Sequence, residues 1–391
     1  MKVHLKNNSY ALSAEFPMTV FEMQDVLDRL KIPDDKPIVA FEISEYDNME
    51  FPFALCLRDF SADIYRLNLF AERLENLNSS EMTAFRSLLK VNSESSFEDI
   101  LKMTYGLDSV MIYPCSDCRE LGETVIENEL MPELESCSEE ILELLDCEKV
   151  GRLMQEREGG VFINEHYCVT FGYEPPDINI EIGRPENCFF RLLIAPVKQN
   201  DVPDYGSAQW ISLPFDEENQ ENDFEKMTCV KRESSLPNLS QNQMQKEKIH
   251  ELNELAKSLS ELSHDNFVKL KAVMESEQIH KISGTLDCIG RLDEYQFDRN
   301  IFDQSEFGRA YLMKNLPLNF DSAILENTDL FDFGQGILTH NHGEVTSYGA
   351  ISGRGQELYS ALTIGHEQQL DEDFEEDIEE DFELEMGGMS L

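Results

Sequence analysis

LNLFAERLENLNSSEMTAFRSLL (residues 67–89) and LNELAKSLSELSHDNFVKLKAVM (residues 252–274) decide the fold. Leu67, Ala71, Leu74 and Leu77 match Leu252, Ala256, Leu259 and Leu262. The register then runs on without a gap, Met82, Phe85, Leu88 and Leu89 matching Phe267, Leu270, Val273 and Met274. Apolar residues at three- and four-residue intervals form the stripe of a helix that faces a core. Polar breaks in the middle offer Ser79 or Ser80 in one stretch and Ser263 in the other as N-caps. Each stretch is therefore expected to be two helices joined by a short turn, and the chain to carry that unit twice.

Two further echoes follow in the same order. ELGETVIENEL from Glu120 corresponds to EFGRAYLMKNL from Glu306, and LDCEKVGR ending at Arg152 corresponds to TDLFDFGQ ending at Gln335. In the latter pair an Asp precedes a Gly by five residues, Asp146 and Gly151 in one copy, Asp329 and Gly334 in the other. β-like runs are expected from there onward, GGVFINEHYCVTF and QGILTHNHGEVTSY. Upstream, YALSAEFPM, KPIVAFEISEY and a further candidate at FPFALCL read as strands around the helix-like TVFEMQDVLDRL. FFRLLIAPV and AQWISLPF read as strands of the second copy, with Phe16-Pro17 and Leu213-Pro214 in corresponding places. Residues from about Asp216 to Lys248 are polar and read as linker or partly disordered chain. The Pro- and Gly-rich stretch Gly172–Cys188 is the expected boundary between copies.

The charge is extreme. With 78 Asp and Glu against 32 Lys and Arg, the net charge is −46 in 391 residues. Such self-repulsion destabilises a compact state, so it serves either solubility or function. Direct nucleic-acid binding is disfavoured, because phosphate contacts need basic patches. No window is apolar enough for a membrane span, and MKVHLKNNSYALSAEF lacks the apolar segment of a signal peptide. Scattered cysteines and no signal point to reduced thiols in a cytoplasm.

Catalytic motifs are missing: there is no GxSxG, no GxxxxGK[ST] and no GxGxxG between strand and helix. The expectation is a protein that is not an enzyme and carries no cofactor or metal. Cys115 and Cys118 have the spacing of half a zinc site or a redox pair, but the other half is missing, and His166 and Cys168 need not converge with them. His340 and His342, placed on one face by strand alternation, read as surface histidines. What remains is the charge distribution. Twelve acids between Asp117 and Glu148 face only Arg119 and the adjoining Lys149. GETVIENELMPELE and SEEILELLDCEKVG read as amphipathic helices with carboxylate-covered outer faces. The acids are Asp117, Glu120, Glu123, Glu127, Glu129, Glu133, Glu135, Glu139, Glu140, Glu143, Asp146 and Glu148, the expected partner-binding set. Duplex DNA carries about one charge per 1.7 Å, so −46 corresponds to roughly 78 Å of duplex as an upper scale. In the C-terminal stretch Leu370, Phe374, Ile378, Phe382 and Met386 recur every four residues among acids.

FPMTVFEMQDVLDRL, FEISEYD, residues 67–89, ELGETVIENEL and LLDCEKVGR…GGVFINEHYCV, in that order, resemble the ArdA antirestriction proteins of conjugative elements, over most of residues 10–172. The second copy, with AQWISLPFD, LNELAKSLSEL and EFGRAYLMKNL, looks like a diverged second unit. The resemblance implies an elongated α+β protein of duplicated units, with small β-containing domains flanking a helical central domain. Its expected boundaries are 1–59, 60–104 and 105–172 for the first unit and 173–188 for a linker. The second unit follows as 189–248 (N-terminal domain and polar linker), 249–282 and 283–355, with an acidic tail at 356–391. It further implies a mimic of bent B-form DNA that occupies the DNA-binding groove of type I restriction-modification enzymes and protects incoming DNA. A homodimer, or an intrachain pseudo-dimer of the two units, would be the binding form. The other reading of the charge is an acidic adaptor or chaperone for a basic DNA-associated protein.

Overall fold

The computed structural model describes residues 1–8, 10–45, 60–92, 95–176, 188–197, 202–216, 227–245, 248–315 and 329–360. The FPFALCL strand, most of the 172–188 boundary and the tail from residue 361 lie outside the described residues. The chain is α+β, with helices and small antiparallel sheets. It divides into two compact units, Met1–Leu292 with Thr346–Gly349, and Asp293–Val345 with Ala350–Leu391.

In the first unit, strands β1 (Lys2–Asn7), β2 (Tyr10–Glu15), β3 (Ile38–Glu45) and β4 (Phe60–Asp63) form a sheet in the order β2-β1-β3-β4. Alternation buries Val3, Leu5, Val39, Phe41 and Ile43 on one face. Helix α1 (Val20–Arg29) begins at a capping box, Thr19 Oγ1 accepting from Glu22 N while Glu22 Oε2 accepts from Thr19 N at 2.6 Å. Helices α2 (Ile64–Asn76), α3 (Ser79–Val91) and α4 (Phe97–Lys102) complete the core through Phe70, Leu74, Phe85 and Leu88.

A second core in this unit lies around Cys115, Leu121, Val125, Met154 and Tyr167. It joins α5 (Cys118–Glu127), α6 (Glu139–Leu142) and α7 (Cys147–Glu158) to a sheet of β5 (Met111–Tyr113), β6 (Val161–Ile163) and β7 (His166–Val169), ordered β5-β7-β6.

The elements then recur. Strands β8 (Phe190–Pro196), β9 (Gln209–Leu213) and β10 (Met227–Ser234) form a sheet ordered β10-β8-β9, as β3-β1-β2 are ordered before them. Helices α8 (Ile249–Ser260), α9 (His264–Ser276) and α10 (Ile282–Ile289) stand 185 residues after α2, α3 and α4 at each first residue. The peptide bonds Phe16-Pro17 and Leu213-Pro214 are both cis. After each proline the chain is held by a buried asparagine at the matched place in α2 or α8. Asn68 Oδ1 accepts from Met18 N at 2.7 Å, and Asn253 Oδ1 accepts from Phe215 N at 2.8 Å. Asparagine is a poor helix former, and its use here satisfies buried backbone groups that nothing apolar could.

In the second unit α11 (Gln304–Asn315) and α12 (Leu330–His340) pack on a sheet of β11 (Phe297–Asp298), β12 (Glu344–Thr346) and β13 (Gly349–Ile351), ordered β11-β13-β12. That is the arrangement of α5, α7 and β5-β7-β6. Phe307, Tyr311, Ile337, Leu338 and Leu358 form the core.

Four sequence expectations need correction. The cap of α3 is Asn78, not Ser79 or Ser80: Asn78 Oδ1 accepts from Glu81 N at 3.0 Å and Glu81 Oε2 accepts from Asn78 N at 2.9 Å, a reciprocal pair that neither serine could form. Ser263 does cap α9. The polar stretch 216–248 contains β10, and Leu236, Leu239 and Met244 are buried beyond it. Its few apolar residues sit where the core needs them, which average composition conceals. QGILTH is helical, the last turns of α12: Leu330, Gly334, Ile337 and Leu338 are buried at helical spacing. The two acidic helices are also shorter than expected. Helix α5 ends at Glu127, with Glu129 in a left-handed turn at φ 50°. The later stretch divides into α6 and α7, because Asp146 starts a new helix by accepting from Lys149 N at 3.3 Å.

Candidate partner-binding face

Two helices with glycine at their crossing frame the acidic surface: Glu120, Glu123, Glu127 and Glu148 lie on α5 and α7, Asp117 and Asp146 cap them, and the other six acids lie on the segment that joins them. A Cβ on Gly122 would lie 1.8 Å from the Cys147 carbonyl oxygen, and one on Gly151 would lie 1.8 Å from that of Cys118. The backbones of α5 and α7 are thus in direct contact, with no side chain between them. Only glycine permits that approach. In the second unit the same contact is made by Gly308 and Gly334, where a Cβ on Gly334 would lie 1.9 Å from the Gln304 carbonyl oxygen.

The caps fix where the helices start. Asp117 Oδ1 accepts from Arg119 N and Glu120 N at 2.9 and 3.0 Å. Glu120 Oε2 accepts from both Ser116 N and Ser116 Oγ at 2.8 Å, which pins that carboxylate over the first turn of α5. With Leu121, Val125 and Met154 turned inward, the charged residues are left on the outer side.

All twelve acids of the expected set are exposed. Four are paired with cations of the same region: Glu123 with Arg119 at 3.2 Å, Glu133 with Arg157 at 2.9 Å, Asp146 with Lys149 at 3.1 Å and Glu148 with Arg152 at 2.5 Å. Among the described residues, no lysine or arginine pairs with Asp117, Glu120, Glu127, Glu129, Glu135, Glu139, Glu140 or Glu143. A hydrogen bond from its own amide, then Arg157, holds the Glu133 carboxyl below the usual range, and the Lys149 contacts do the same for Asp146. Glu158, by contrast, is pushed up by burial. Ile141 and Leu144 stand exposed among the acids, Leu144 at 85%.

No family model matches this chain, and no curated protein sequence matches it.

The second unit repeats the scaffold but not its charge. Arg309 and Met313 stand where Glu123 and Glu127 stand on α5, and Phe331 replaces Glu148 on α12. Met313 is 71% exposed and Phe331 50%. A duplicated fold therefore carries one acidic helix pair and one mixed, partly apolar pair.

The other candidates do not assemble. Cys115 is buried with its thiol 3.2 Å from Thr124 Oγ1, while the Cys118 thiol reaches Gln155 Oε1 at 3.6 Å. On β7, Tyr167 enters the core of Cys115 and its neighbour Cys168 enters that of α2 and α3, so Cys168 faces away from the pair. Burial pushes the Cys168 thiol up. His340 ends α12 and His342 sits in a left-handed turn at φ 53°, so the two do not share a strand face. Among the described residues, no group of three or more His, Cys, Asp or Glu is arranged to hold a metal ion, and no helix is long and apolar enough to cross a membrane.

Sequence reasoning missed a buried ionic cluster that joins the two repeats inside the first unit. Lys271 of α9, 2% exposed, reaches Asp25 Oδ1 at 3.0 Å and Asp28 Oδ2 at 2.9 Å on α1. Asp25 also accepts from Tyr348 OH at 2.7 Å and pairs with Arg29 at 2.8 Å, and His264 Nε2 lies 3.1 Å from Asp28 Oδ1. One signal was available: Lys271 occupies a position of the apolar stripe, four residues after Phe267.

Proposed function

We propose that this protein is an antirestriction protein, a cytoplasmic, non-enzymatic mimic of B-form DNA that occupies the DNA-binding groove of a type I restriction-modification enzyme. One observation carries the proposal: exposed carboxylates that no described lysine or arginine pairs with crowd α5 and the segment that joins it to α7, two helices whose backbones touch. Fixed acids lose little ordering entropy on binding. A DNA groove is a strong cation field, and displacing DNA from it takes a comparable density of negative charge. Because α1 of the first repeat already packs on α9 of the second, one chain can supply both halves of a pseudo-dimer.

The test is a DNA cleavage assay with a type I restriction enzyme across a salt series. Converting Glu129, Glu135, Glu139 and Glu140 together to Gln should weaken inhibition about tenfold, since exposed pairs contribute about 0.2–1 kcal/mol each. Its salt dependence should flatten as well. Unchanged inhibition by this variant would remove the face from consideration. A chain ending at Gly365 should inhibit as the full chain does, whereas an adaptor that binds through its acidic tail would lose its partner.

A further inference from the structure

The ionic cluster has a counterpart with one side missing. The α8–α9 hairpin lines a cavity of about 400 Å³ through Leu259, Leu262 and Phe267, joined by Phe189 before β8 and by Gln24 and Asp28 of α1. The α2–α3 hairpin lines a cavity of about 590 Å³ through Leu74, Leu77, Met82 and Arg86, with Met1 beside them. Leu74, Leu77, Met82 and Arg86 stand 185 residues before Leu259, Leu262, Phe267 and Lys271. The second face thus holds an acidic helix, two of whose carboxylates meet Lys271. On the first face no described helix lies across the cavity, and Arg86 Nε is buried without a hydrogen-bond partner.

We propose that the Leu74–Leu77–Met82–Arg86 face is a docking site for a partner protein's amphipathic helix that carries two carboxylates one turn apart beside an apolar stripe. α1 is the internal example of that chemistry. Apolar side chains would fill the floor of Met1, Leu74, Leu77 and Met82, and the carboxylates would take the place opposite Arg86 that Asp25 and Asp28 take opposite Lys271. A second copy of this chain has no spare helix of this kind among its described residues, because its own α1 is committed to Lys271. Residues 217–226, which follow β9 as α1 follows β2, carry acids but only Phe224 as an apolar residue, so they have no stripe to offer.

The salt response of such binding has a distinctive sign. An acidic helix is repelled at long range by a chain of net charge −46, and salt screens that repulsion. The contact with partly buried Arg86 is screened less. Affinity should therefore hold or rise from low to physiological salt, opposite to the loss expected for a basic groove.

The probe is a synthetic peptide of residues 18–32, labelled and titrated by fluorescence anisotropy with the full-length protein. A dissociation constant of about 10–100 μM is expected. Arg86→Glu should weaken it about tenfold or more, and so should a peptide carrying Asp25→Asn and Asp28→Asn. Circular dichroism of Arg86→Glu checks that the fold is kept. Binding that survives Arg86→Glu, or that weakens steadily with salt, would overturn the proposal. A third arm uses Arg86→Lys, which places at this position the residue type of the second repeat. Carbodiimide treatment of that full-length variant should link the new amine to the bound peptide. Linkage instead to residues 217–226 or 361–391 would show that the chain fills the face itself, and the proposal falls.

Discussion

Replacing Lys271 by Met is expected to destabilise the first unit by about 3–5 kcal/mol, read by urea denaturation, because it strands two buried carboxylates. The lower end of that range is the better estimate. Asp25 keeps Arg29 and Tyr348 as partners, and Asp28 keeps His264, whose side chain is 45% exposed. Removing the whole cluster should cost far less than removing its cation. Lys271→Met combined with Asp25→Leu and Asp28→Leu should recover most of the loss, since buried ion pairs replaced together by apolar residues are often neutral. If the triple variant were as unstable as Lys271→Met, packing rather than charge would explain the effect. pH supplies a second readout. Burial alone would push the Asp28 carboxyl up, but the His264 hydrogen bond and the Lys271 charge outweigh it and hold the group below its ordinary value of 3.8. A depressed carboxyl contributes stability that is present above the ordinary value and is lost as pH falls through the lower folded one. The wild-type contribution therefore disappears only below about pH 3.8. In Lys271→Met, Asp28 loses part of what depresses it, and the acid limb of the stability curve should move to higher pH.

That cluster also marks where the sequence stops being legible. Helices α2, α3, α8 and α9 were readable because each buries a stripe against its own core, so local spacing is a record of local packing. The Asp–Gly spacing was readable for the same reason, although its meaning was not: Asp146 and Asp329 are caps, and Gly151 and Gly334 are crossing points. Contacts between repeats leave no such record. Asp25 and Asp28 look like solvent-facing acids of an acidic chain, and only the position of Lys271 within an apolar stripe hints at a buried partner 243 residues away. The acidic face was legible as composition, and all twelve residues are exposed. The loss of that charge on α11 and α12 was legible too, at Arg309, Met313 and Phe331.

Gly151→Ala separates the scaffold from its charge. The added methyl would lie 1.8 Å from the Cys118 carbonyl oxygen and 2.9 Å from Gly122 N, and both are backbone atoms that no rotamer change can move. The helices must part or tilt, at a cost of about 3 kcal/mol or more. The second unit contains its own control. Gly334→Ala meets the Gln304 carbonyl oxygen at 1.9 Å and should be similarly costly, whereas Gly336, two residues along the same helix, has open space around its Cβ position. Gly336→Ala should stabilise, by up to about 1 kcal/mol, through helix propensity alone. Thermal denaturation of the three variants tests the packing. The restriction assay tests something further, because Gly151→Ala removes no carboxylate. If inhibition needs only a high density of negative charge, the variant should inhibit as wild type does wherever it remains folded. If it needs carboxylates held in register by touching helices, inhibition should fall well below wild type at unchanged net charge. Equal inhibition by folded Gly151→Ala would leave DNA mimicry without its geometric basis, and diffuse acidity would then be the simpler explanation.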